Sequence, residues 1–227
     1  MLLRVSEIFY SIQGESTHAG LPCIFVRLTG CNLRCHWCDT EYAFQGGERM
    51  TLEAVEAEIQ RHPCRRVEFT GGEPLLQAEG VAALARRLLD RGYTVMIETS
   101  GERDVAILPP AVIKIVDVKC PGSGEGRTFQ MGNLRHLQPW DELKFVLRDR
   151  ADYEFARDFV AEQRLDGASP AILFSPAFRK DAVGARSSEQ CELDPARLAE
   201  WILADGLPVR LALQIHKFLW DPATRGV

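Results

Sequence analysis

The sequence predicts a single α/β domain, an incomplete β/α barrel with about six parallel core strands. Three observations carry that expectation. Short β-branched runs alternate with stretches of helical periodicity along the chain, which is the pattern of right-handed βαβ units. Most of the runs are apolar on both faces, as strands covered by helices on either side must be. The units also fall short of the eight that close a barrel. A chain of 227 residues fits one domain, and no internal repeat or Pro-, Gly- or Ser-rich linker divides 1–227.

In order, the predicted strands are Cys23–Leu28, Arg66–Thr70, Tyr93–Thr99, Val112–Lys119, Glu142–Leu147, Ala171–Ser175 and Val209–Gln214. Helical spacing falls between them. Thr51–Arg61 opens on a Thr that can cap, and Leu75–Arg91 stops at Gly92. Asp149–Gln163 and Asp194–Leu203 follow the same pattern. Two segments read as irregular, Cys120–Arg135 and Pro176–Gln190, and each follows a predicted strand. Ligands gather at the carboxyl ends of parallel strands, so both loops are expected to wall a site.

Composition is that of an ordinary globular protein, with 46% hydrophobic and 26% charged residues. The net charge of −5 argues against an electrostatic nucleic-acid binder. No apolar run is long enough for a membrane span, and acidic and polar residues break the N-terminal MLLRVSEIFYSIQGES where a signal peptide needs an apolar stretch. The expected compartment is the cytoplasm. Thiols stay reduced there, so clustered cysteines point to metal or redox chemistry.

Of seven cysteines, Cys31, Cys35 and Cys38 fall within one short loop after the first predicted strand. At this cysteine content, a chance match to that spacing arises about six times in a thousand. Structural zinc wants four ligands, usually from two CxxC pairs, and no second pair exists. Three thiolates suit a cubane iron–sulfur cluster with one iron left open, and zinc stands as the rival reading. Cys23, Cys64, Cys120 and Cys191 are scattered and read as small buried hydrophobes. The glycines of FTGGEP (69–74) end a strand, where they let backbone approach a ligand; alone, this is an ordinary strand-to-helix turn.

Together, CxxxCxxC with Trp37 before its last cysteine and the downstream FTGGEP resemble the radical S-adenosylmethionine superfamily. The resemblance implies a 4Fe–4S cluster on Cys31, Cys35 and Cys38, with S-adenosylmethionine on the open iron and its amino end at the backbone of Gly71, Gly72 and Glu73. Further segments narrow the match: FYSIQGEST (9–17), PCIFVRLTGCNLRC (22–35), WCDTEY (37–42), DVKCPGSG (117–124), ELKFVL (142–147) and LQIHKFLWDPATRGV (213–227). These are similar to the 7-carboxy-7-deazaguanine synthase family over nearly the whole chain.

That family resemblance implies a lyase of queuosine and 7-deazapurine biosynthesis. It would turn 6-carboxy-5,6,7,8-tetrahydropterin into 7-carboxy-7-deazaguanine with loss of ammonia. Ile12, Gln13, Gly14, Glu15, Arg27 and Thr70 would bind the pterin, with Arg27 on its carboxylate and Glu15 accepting from its amino groups. S-adenosylmethionine would meet Trp37, Cys38, Asp39, Gly72, Glu73, Asp117, Val118, Lys119 and Ser175. Thr40 would hold Mg²⁺, which favours hard oxygen ligands. A flavodoxin-like electron donor and a homodimer are further implications. Two departures stand out: Ser16 where glycine is expected, and Cys120 in the loop after Lys119. Rival classes are a glycyl-radical activating enzyme acting on a partner protein and a non-catalytic zinc or interaction module.

Overall fold

A computed structural model describes residues 1–165, 170–180, 188–221 and 224–227. Its strands are β1 (Leu2–Ile12), β2 (Pro22–Leu28), β3 (Glu48–Thr51), β4 (Arg66–Gly71), β5 (Thr94–Thr99), β6 (Ile113–Asp117), β7 (Glu142–Leu147), β8 (Ala171–Pro176) and β9 (Arg210–Leu211). The helices are α1 (Leu52–Ile59), α2 (Ala78–Asp90), α3 (Arg150–Glu162), α4 (Pro195–Asp205) and the short α5 (His216–Leu219). One sheet runs in the order β3-β1-β2-β4-β5-β6-β7-β8-β9. From β2 to β9 every neighbouring pair is parallel. The sheet is open rather than closed into a barrel, in line with the expected fold.

Helix starts follow from side chains that satisfy the orphan amides of a first turn. Thr51 accepts from the Ala54 amide at 3.2 Å. Asp149 does the same for Asp152 at 3.1 Å, and Asp194 for Ala196 at 2.9 Å. The predicted helix from Leu75 begins instead with a tight 3₁₀ turn, Pro74–Gln77, before α2. The Glu73 carboxylate accepts from the Leu75 amide at 2.9 Å and fixes that turn.

Two edge features depart from expectation. β1 and β3 form an antiparallel flank that the sequence did not announce. β1 reads LLRVSEIFYSI and is mostly half-buried or exposed, so it lacks the continuous apolar run of a covered strand. At the other edge the strand expected over Val209–Gln214 shrinks to Arg210–Leu211. The chain turns inward there, and the Ile215 amide donates to the Gly14 carbonyl at 2.8 Å. The middle of the predicted Pro176–Gln190 loop, 181–187, lies outside the described residues.

The core has two halves. One packs α1 and α2 on the β1–β5 side around Val26, Phe69 and Leu84. The other packs α3 and α4 on the β6–β8 side around Phe145, Tyr153 and Phe174. Both halves leave the carboxyl ends of the parallel strands free to carry a site.

Candidate active site

A cavity of about 220 Å³ opens at those strand ends and is lined from Phe9 on β1 to Val227 at the C-terminus. Cys31, Cys35 and Cys38 all face it. Their loop is clamped on both sides. The Glu73 amide donates to the Gly30 carbonyl at 2.7 Å, and the His36 amide to the Ser123 carbonyl at 3.0 Å. A Cβ on Gly72 would overlap the Gly30 carbonyl and press on Cys31, so glycine is what lets the β4 end lie flush on the loop. Burial pushes the Cys31 thiol up, and raises Cys35 to about 11 against the pull of Lys119. Such thiols give up their protons on meeting iron rather than beforehand.

Among the described residues, no three His, Cys, Asp or Glu side chains gather tightly enough to hold a single metal ion. Cluster ligands bind three different corner irons and stand further apart than ligands of one ion. The three thiols facing one cavity therefore fit a cluster.

On the cofactor side the predicted residues divide. Asp117 Oδ1 and Ser175 Oγ are buried with no hydrogen-bond partner. Orphaned buried polar atoms need a partner, and Asp117, which lines the cavity, can find one in a polar cofactor such as S-adenosylmethionine. The other Asp117 oxygen holds Lys119 at 2.7 Å, and both residues line the cavity. Ser175 is buried behind the lining, and the Val118 side chain packs in the second core half. The Glu73 carboxylate is fully committed inside the protein. It accepts from Thr99 Oγ1 at 2.7 Å, Ser100 N at 2.9 Å and Ser100 Oγ at 2.7 Å, besides Leu75 N. Only its backbone is left to face a ligand.

On the substrate side, Arg27 on β2 stands beside Thr70 on β4. Its Nε donates to Glu7 at 2.8 Å, and Tyr42 donates to the same Glu7 oxygen at 2.7 Å. Its two terminal nitrogens have no partner among the described residues. Trp37, Asp39 and Thr40 also line the cavity. The Thr40 hydroxyl caps nothing and lies 3.8 Å from Cys38 Sγ. Ile12 ends β1, and Gln13, Gly14 and Glu15 open the loop after it. The Gln13 amide is spent on Glu68 and on the Glu15 N–H.

Glu15 is bonded to Lys144 at 2.7 Å and to Gln214 at 2.7 Å. Burial raises its pKa, but Lys144 overrides this and holds it down at about 2. Lys144 also bonds Glu98. Asp39 pairs with Lys217 at 2.6 Å, and that ammonium holds its carboxyl well below the usual range despite desolvation.

Sequence reading did not single out Glu68, Glu98, Lys144, Gln214, His216 or Lys217, which line the same cavity. A signal existed for three of them. Glu68, Glu98 and Lys144 are charges set inside the apolar strands RVEFT, TVMIET and ELKFVL, and a charge inside a covered strand must point at a partner or a site. Gln214, His216 and Lys217 sit where the chain leaves the sheet, and periodicity carries no sign of that turn.

An open parallel sheet with a three-cysteine loop after β2 and a flush glycine turn after β4 defines a radical S-adenosylmethionine enzyme. The Radical SAM superfamily model matches residues 25–118. A 7-carboxy-7-deazaguanine synthase of Koribacter versatilis is 55% identical over 226 residues, covering 99% of this chain and 100% of that one. Its counterpart in Chlorobaculum tepidum is 42% identical over 228 residues, covering 99% and 97%. The crystal structure of QueE from Escherichia coli superposes with a TM-score of 0.73 at 26% identity, covering 94% of each chain. This chain belongs to the 7-carboxy-7-deazaguanine synthase family. Matches that span both chains end to end disfavour the glycyl-radical activating enzyme and the zinc module.

Proposed function

We propose that the chain converts 6-carboxy-5,6,7,8-tetrahydropterin to 7-carboxy-7-deazaguanine with loss of ammonia, a step toward queuosine and other 7-deazapurines. The observation that carries this reading is Arg27. Its Nε is anchored on Glu7 while its terminal fork is open in the same cavity as the three cysteines. A guanidinium fork holds a small carboxylate by two parallel hydrogen bonds. Glu15, kept ionised by Lys144, accepts from the amino end of the pterin, and Thr70 borders the ring.

When bound, the cluster and S-adenosylmethionine supply a carbon radical able to take a hydrogen atom from an unactivated carbon. Cys31, Cys35 and Cys38 hold the cluster. Asp117 and the backbone at Gly72 and Glu73 orient S-adenosylmethionine, with Trp37, Asp39 and Lys119 around it. The residues fix the distance and angle between pterin and cofactor and exclude water. The Thr40 hydroxyl, which lines the cavity, would be the protein's hard oxygen ligand for Mg²⁺, and the ion would stabilise negative charge on the substrate. A flavodoxin-like donor supplies the electron that primes the cluster; loss of ammonia alone separates substrate from product, so the conversion consumes no electron overall. The chain works as a cytoplasmic homodimer.

The test is anaerobic incubation of the iron-reconstituted protein with the carboxypterin, S-adenosylmethionine, Mg²⁺ and a reductant. Formation of 7-carboxy-7-deazaguanine and ammonia together supports the reading, and consumption of S-adenosylmethionine without either product sinks it.

A further inference from the structure

Glu68 is a buried acid on the cavity wall that the reading above does not use. It sits on β4, 1% exposed, and lines the cavity. Its Oε2 accepts from the Gln13 amide. Among the described residues its Oε1 accepts no hydrogen bond, and the side chain lines the cavity, so this oxygen is available to a ligand there.

The charged groups around it do not balance. Glu15, next to Gln13 in the loop after β1, and Glu98 on β5 both face it, and Asp117 on β6 lines the same cavity. Cys23 on β2 is its thiol neighbour. The one ammonium nearby, Lys144 on β7, bonds Glu15 and Glu98 and lies 3.8 Å from Asp117. No cation reaches Glu68 within ion-pair distance among the described residues. A buried carboxyl with carboxylate neighbours and no cation of its own keeps its proton. Burial first, and then the charges of Glu98 and Glu15, push its pKa well above the ordinary value.

We propose that Glu68 binds substrate as a neutral carboxylic acid, donating from Oε1 to a hydrogen-bond acceptor of the pyrimidinone ring while ionised Glu15 accepts from the ring's amino end. The inference rests on the pterin reading above and deepens it. Two chemically identical side chains of one cavity then read opposite edges, a donor and an acceptor, because one has Lys144 and the other does not. A ring that replaces its acceptor by a donor leaves the Glu68 proton facing another proton, which a polar site rejects more strongly than a missing contact.

Equilibrium binding of 6-carboxytetrahydropterin to the cluster-loaded full chain, measured anaerobically across pH, tests it. Affinity of the parent falls as pH rises through the Glu68 titration, because the ionised carboxyl loses its donor and repels the acceptor. Glu68→Gln keeps an N–H donor, binds within a few-fold of the parent at neutral pH and lacks that step. Glu68→Met loses roughly tenfold at neutral pH, the scale of one lost hydrogen bond in a buried site. Glu98→Gln keeps the step but moves it to lower pH, since one neighbouring negative charge is gone. A protonated-carboxyl band in the infrared difference spectrum disappears in Glu68→Gln. If Glu68→Met binds like the parent, or Glu68→Gln retains the full pH step, Glu68 only props Gln13 and the inference is wrong. If the parent itself shows no affinity for the carboxypterin, the substrate reading fails and this inference with it.

Discussion

Arg27 is held by one nitrogen and offered by two. Its Nε donates to Glu7 at 2.8 Å, and its ring neighbours Phe9 and Tyr42 lie with centroids 5.6 and 5.9 Å from the guanidinium carbon. Arg27→Ala and Arg27→Lys are each expected to keep iron and S-adenosylmethionine but to weaken carboxypterin binding at least about thirtyfold, since a lysine cannot copy the fork. Isothermal titration of both variants measures it; a parent-like affinity in either removes Arg27 from the substrate site. Ser16 is a second residue with a clear expectation. It sits at φ 62, a region that costs a non-glycine residue energy. Ser16→Gly should therefore raise the urea midpoint, by up to about 1 kcal/mol in stability. An unchanged or lower midpoint would mean that the Ser16 hydroxyl, which accepts from the His18 amide at 3.0 Å, offsets the strain. The departure from glycine that the sequence showed thus has a physical meaning: the loop demands a left-handed residue there and tolerates serine. Cys120 was the other departure, and its burial in the second core half away from the cavity lining makes it packing.

At the scale of elements, the turn after β4 is the piece on which the cysteine loop rests. Glu73 caps that turn and ties it to the end of β5 through Thr99 and Ser100. Hydrogen bonds to a buried charged group contribute more than neutral ones, so Glu73→Ala is expected to destabilise the fold by about 2–4 kcal/mol and to lower iron content. Thermal unfolding and iron analysis of the variant check both. The strands that were legible in the sequence are those buried on both faces, β2 and β4 to β8, because continuous apolar runs of strand length have no other home in such a chain. β1 and β3 were not legible, since an antiparallel flank with one side in water mixes polar and apolar residues. The same limit applies to the site. Cysteine spacing and glycines are local signals and could be read. The bonds from Lys144 to Glu15 and from Lys217 to Asp39 join residues more than a hundred positions apart, and no local pattern contains them. The Lys144–Glu15 bond has a pH signature. Glu15 has its pKa lowered from 4.5 to about 2 on folding, so its contribution is complete above the unfolded value and is lost as pH falls from about 4.5 toward 2. Acid titration of stability should show a shallower loss over that window in Glu15→Gln; an identical profile would mean that the pair contributes nothing to folding.

For the molecule as a whole, the open sheet brings distant parts of the chain to one cavity at its strand ends, among them the loop after β1, the cysteine loop after β2 and the turn before α5. The C-terminal turn ties the other two together, with Gln214 on Glu15, Ile215 on Gly14 and Lys217 on Asp39. Removing any of the three cluster cysteines should therefore cost iron without unfolding the sheet. Cys31→Ala, Cys35→Ala and Cys38→Ala are expected to be colourless after reconstitution. Cys23→Ala, Cys64→Ala and Cys191→Ala should stay brown with about four irons per chain. Iron at the parent level in Cys35→Ala would end the cluster assignment. The central claim is that this cavity places the pterin's C6 hydrogen against the radical source, and isotope transfer measures that directly. The enzyme is turned over anaerobically with 6-carboxytetrahydropterin carrying deuterium at C6, and the recovered S-adenosylmethionine and any 5′-deoxyadenosine are weighed by mass spectrometry. Deuterium appearing in the 5′-deoxyadenosyl group of either, alongside 7-carboxy-7-deazaguanine, is the predicted result; product formed with no deuterium transferred to either, or deoxyadenosine released with the pterin intact, would contradict it.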